Sequence, residues 1–130
     1  MRITRLIPGT IALIGFAWLA PGIALADAAM AKATAAQHAG LAAGSDAIGM
    51  VHRHLHHALN CLVGPEGEGF DEAAGNPCRE QGSVIPETAD AEMKESLEAV
   101  AKQVREAIAN NDMTAVKEVA MSVQEALGET

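Results

Sequence analysis

A chain of 130 residues with 17 acidic against 9 basic side chains carries a formal net charge of −8, and only 2% of it is aromatic. So acidic a surface repels phosphate backbones and anionic lipid headgroups, and so few aromatics cannot build a stacking platform for bases. Nucleic acid and membrane-surface partners are argued against; cations are attracted.

The N-terminus reads as a targeting segment. Arg2 and Arg5 give a positive start, Ile11 to Ala20 is an apolar run too short to span a bilayer comfortably, and Pro21-Gly22 breaks it. Ala24-Leu25-Ala26 supplies the small-x-small pattern of signal-peptidase cleavage, so residues 1–26 are expected to be a signal peptide cleaved after Ala26. A retained anchor is the alternative, but Pro8 and Gly9 shorten the run. Residues 27–130 then form a single helical domain, periplasmic or secreted, with no membrane attachment after cleavage. Removing residues 1–26 takes away Trp18 and Phe16, leaving Phe70 as the sole aromatic residue. The core must come from Leu, Ile, Val, Met and Ala, the habit of close-packed helices.

Residues 27–43 are Ala at more than half their positions and predict a helix. Its only large apolar side chains are Met30 and Leu41, so weak docking and a frayed start are expected. Gly44-Ser45-Asp46 reads as a helix stop and a new start, Gly as C-cap and Ser or Asp as the next N-cap. The competing reading is one helix over about 28–63. From Ala47 to Val63 the apolar residues Ile48, Val51, Leu55, Leu59 and Leu62 recur at helical steps, and Gly64-Pro65 ends the run.

Residues 64–87 hold five Gly and three Pro without a sustained period, which predicts a long loop. Cys61 and Cys78 are the only cysteines, and in an exported chain two cysteines pair by default. Such a disulfide staples the loop and is worth roughly 3 kcal/mol by loop entropy. A redox-active pair would want a closer spacing than this. Residues 88–110 predict a helix capped by Thr88 or Asp90, with Met93, Leu97, Val100, Val104, Ala107 and Ile108 as its stripe. A short turn at Asn110-Asn111-Asp112 leads to a last helix over 113–127 carrying Met113, Val116, Val119, Ala120, Val123 and Leu127. The fold class expected is all-α: a four-helix up-down bundle of two hairpins, with a stapled loop between them.

Four of the five histidines fall between positions 52 and 57, and His38 stands upstream. With His52 at zero on a helical wheel, His56 lies at about 40°, at the edge of the apolar stripe, while His54 at about 200° and His57 at about 140° look outward to water. The His52/His56 pair, one turn apart, can share one ion. If residues 27–43 and 46–63 fold back about positions 44–45, residue i faces about 89 − i, and His38 lands beside His52. If the helix runs straight, His38 is about 21 Å away by helical rise. The metal ligands expected are therefore His52, His56 and His38. Accessory ligands could come from His54, His57, Met93, Met113, Met121, Glu66, Glu68 or Asp71.

The ion expected is copper, zinc or nickel, with copper favoured by the Irving–Williams order. Binding should weaken as pH falls through about 6.5, because the ligand is neutral imidazole. Without a CxxCH motif covalent haem is excluded, and haem b is the lesser cofactor option. The bland reading sets these histidines as hydrogen-bonded boundary residues. The acidic loop lacks calcium-loop spacing. No nucleophile beside a base, phosphate loop or buried carboxylate pair points to an enzyme. The function expected is a periplasmic metal buffer, scavenger or carrier; the alternative is an interaction module whose 64–86 loop engages a protein partner.

The stretch HRHLHHALNCLVGPEGEGFDEAAGNPC resembles a block found in small exported bacterial proteins of unassigned function: a His-rich helix end, then NCLVGP, then a Gly/Asp loop closing at NPC. The resemblance covers about residues 38–85. It implies no activity or ligand, only that the loop and the His-rich helix form one unit.

Overall fold

The computed structural model describes residues 22–128, with side chains from Asp27 onward. The targeting segment expected over 1–26 lies outside the described residues, apart from its last five positions, which open the first helix. The described residues are helical and contain no strand: α1 Gly22–Gly44, α2 Ile48–Val63, a single turn α3 Val84–Glu87, α4 Ala91–Ile108 and α5 Met113–Gly128. None of these helices is long and apolar enough to cross a membrane. The one-turn helix α3 falls inside the segment expected to be loop. Thr88 closes it by donating its hydroxyl to the Val84 carbonyl at 2.7 Å.

Residues 28–63 are two helices, not one. Ser45 does not cap α2 as expected; its hydroxyl donates to the Leu41 carbonyl at 2.8 Å and finishes α1 instead. The N-cap of α2 is Ala47, which has no side chain to offer. Further on, Asp90 caps α4 by accepting from the Met93 amide at 2.7 Å, and Asp112 accepts from the Ala115 amide at 3.0 Å where α5 begins.

Helix α1 packs on α2 and α5, and α4 packs on the same two, so α2 and α5 each lie between α1 and α4. The core contains Leu55, Leu59 and Leu62 from α2, Val104 from α4, and Val116 and Val123 from α5, all essentially inaccessible. Each Leu buried this way contributes roughly 1.5–3 kcal/mol.

The Ala-rich α1 corrects an expectation. Ala31, Ala35, Ala39 and Ala42 are fully buried, while Met30 and Leu41 stand exposed. Small side chains let the backbone approach its neighbours closely: a Cβ at Gly40 would come within 2.7 Å of the Gln124 amide nitrogen on α5. Close approach, not bulk, docks this helix.

Cys61 and Cys78 form a disulfide with their Cα atoms 5.2 Å apart. The loop it staples is also pinned from inside. Asn60, the only fully buried polar residue described, donates to the carbonyls of Asp71 at 2.7 Å and Gly75 at 2.8 Å, and accepts from the Asp71 amide at 2.9 Å. Two carbonyls and one amide of an irregular segment are satisfied by one side chain. Gly64, at φ 73°, turns the chain out of α2 where any Cβ would strike the Ser83 side chain.

Candidate metal centre

Three imidazoles converge where α1, α2 and the stapled loop meet: His38 from α1, His54 and His57 from α2. Nδ1 of His38 is 3.3 Å from Nδ1 of His54 and 3.4 Å from Nδ1 of His57. Ligand atoms from all three lie within 4.8 Å of one another, and each residue is partly buried. Of the accessory ligands expected from the sequence, only His54 and His57 join this group.

The hinge explains the partners. Gly44 and Ile48 are the paired ends of the α1–α2 turn, so facing positions add to 92 and His38 looks at position 54. An assumed pivot at 44–45 points it at His52 instead.

His54 and His57 do not look to open water. On the same wheel Cys61 falls at about 180°, between His57 at about 140° and His54 at about 200°. Cys61 is fully buried in the disulfide, so its stripe of α2 faces protein, and its companions one and two turns back face α1. The apolar stripe carries α2 against α4; this second, mixed stripe carries it against α1 and the loop. The position of the cystine is the clue the sequence carries.

The loop orients the site. Nε2 of His57 lies 2.7 Å from the Ala74 carbonyl oxygen, which can only accept, so Nε2 carries the proton and the neutral ring turns its Nδ1 lone pair toward His38. Ala74 is itself held: Asp71 Oδ1 accepts from the amides of Ala73 at 2.9 Å and Ala74 at 3.4 Å. Such an outer hydrogen bond is how metal-ligating histidines fix their tautomer and ring orientation.

The electrostatics favour the neutral ligand form. Burial is the chief cause that lowers His38 from 6.5 to about 4, with the His57 and His54 rings adding to it. His54 is also lowered, by burial first, then His57 and Arg53.

The remaining expected ligands stand elsewhere. His52 donates Nε2–H to the Asn110 carbonyl at 2.7 Å, tying α2 to the α4–α5 turn. His56 points at the loop, with Nδ1 3.8 Å from an Asp71 carboxylate oxygen and no hydrogen-bond partner. The pair spaced one turn apart therefore splits between two neighbours, and neither ring enters the group at His38. Met93 and Met121 are exposed on α4 and α5, Met113 is half-buried at the start of α5, and Glu66 and Glu68 are exposed in the loop.

No family, curated protein or solved structure matches this chain.

Proposed function

We propose that this is a periplasmic metal-binding protein, a buffer, scavenger or carrier that holds one transition-metal ion between Nδ1 of His38, His54 and His57. The observation that carries the reading is the spacing. A tetrahedral ion with metal–nitrogen bonds of about 2.0–2.1 Å holds neighbouring nitrogens roughly 3.3–3.4 Å apart. The two Nδ1–Nδ1 separations measured at His38 are 3.3 and 3.4 Å. Axial haem ligands on opposite faces of a macrocycle would sit farther apart, which favours an ion over haem b. The acidic surface draws cations toward the site.

In this reading the chain is exported by residues 1–26, and the four long helices form an up-down bundle whose first hairpin brings His38 onto α2. The site has no assigned reaction: its three bases are all ligands, and none is left to move a proton. The loop acts as the support of His57 rather than as a docking arm for a protein partner.

Calorimetric titration of the purified protein with copper, zinc and nickel tests this. A sub-micromolar site lost in His38→Ala and retained in His52→Ala/His56→Ala is the expected result. Absence of binding by the wild-type protein, or loss only in the double variant, would overturn it.

A further inference from the structure

Three nitrogens leave a transition-metal ion one donor short of a closed tetrahedral sphere. Among the described residues no carboxylate or thiolate joins the three histidines. The direction from which a fourth donor can arrive is restricted. On the side of His57 that leads toward Cys61 lie the disulfide, the Ala74 carbonyl and the contact of Cys78 Sγ with the Ala31 carbonyl at 3.6 Å, with both cysteines fully buried. The other side leads back along α2 toward its first turn, where Met50 stands with 44% of its surface exposed.

Met50 is one turn before His54. On the wheel used above it falls at about 160°, between His57 and His54, so it continues their stripe. Side chains four residues apart on a helix have Cβ atoms about 5–6 Å apart, and each leans toward the helix N-terminus. That lean carries the His54 ring over the turn of Met50 and Met50 itself toward the helix start, so the thioether meets the ring by turning back; its long unbranched side chain is exposed and free to do so. Met30, Met93, Met113 and Met121 lie on other helices and are not on this stripe.

Resting on the proposed histidine site, we propose that the thioether of Met50 is the fourth ligand and that the ion the site selects is copper(I). A thioether is a soft donor that contributes to copper(I) binding and adds little for zinc. No electron transfer is involved: the sulfur lone pair replaces a water on an ion that arrives already reduced.

Anaerobic competition against a chromogenic copper(I) chelator, run on the wild-type protein and Met50→Leu, separates the outcomes. Leucine keeps the volume and helix preference of an exposed side chain while removing the sulfur. The copper(I) affinity of Met50→Leu is expected to fall about tenfold, equivalent to about 1.4 kcal/mol, with zinc(II) affinity held within about twofold. X-ray absorption of the copper(I) form should show one sulfur scatterer that the variant lacks. Equal copper(I) affinity in the two proteins, or a nitrogen- and oxygen-only sphere in the wild type, overturns the Met50 assignment and leaves the histidine site standing. Failure of the wild type to bind either ion overturns both.

Discussion

His57 has both ring nitrogens engaged: Nε2–H on the Ala74 carbonyl and Nδ1 turned to His38. His38 is the residue whose titration the site controls most strongly. Its folded-state pKa, about 4, lies below the unfolded value of 6.5, so between those values the unfolded chain binds the extra proton and the folded one does not. Stability of the metal-free protein is therefore expected to be full above about pH 6.5 and to decline as pH falls toward 4; urea midpoints of His38→Gln should fall less over that window. His52 predicts the opposite kind of effect. His52→Ala should cost about 1 kcal/mol of stability through the lost bond to Asn110 and leave metal affinity unchanged. The histidine run was legible as unusual, but which rings converge was not. A single wheel ranked faces by apolarity, whereas α2 is gripped from two sides, and the second grip involves a cystine, histidines and alanines.

At the scale of elements, the loop and α2 form one unit through Asn60 and the disulfide. Asn60→Ala strands two carbonyls and an amide inside the fold and is expected to lower stability by roughly 2–4 kcal/mol in urea denaturation. Because the same loop supports His57, the variant should also lose metal affinity by roughly 10–100-fold, in the range of other outer-sphere losses. Reduction of Cys61–Cys78 should act in the same direction, lowering stability by roughly 3 kcal/mol. Helix boundaries were mostly readable, since Gly44, Gly64, Asp90 and Asp112 punctuate the chain. The α1–α2 hinge lies about one and a half residues later than a pivot at 44–45, because Ser45 finishes α1 and neither it nor Asp46 caps α2, whose N-cap is Ala47. That small difference in register moves the expected partner of His38 from His54 to His52. The docking of α1 is not legible from a count of large apolar residues, which undervalues an alanine face that lets backbones meet.

For the molecule as a whole, an acidic helical scaffold stapled at one end presents three imidazoles at a helix–helix seam. The all-helical class and the disulfide were readable from Ala content, Gly and Pro placement and cysteine count, because those signals are local. The site was not, because it is a product of register between α1 and α2. The most direct test of the central claim is the imidazole region of a proton–nitrogen correlation spectrum recorded while zinc is added to the uniformly nitrogen-labelled protein. The Nδ1 resonances of His38, His54 and His57 should move together to ligated values and saturate at one ion per chain, with His52 and His56 unmoved. Saturation at His52 and His56 with His38 unaffected, or no shift of any ring, would contradict the account.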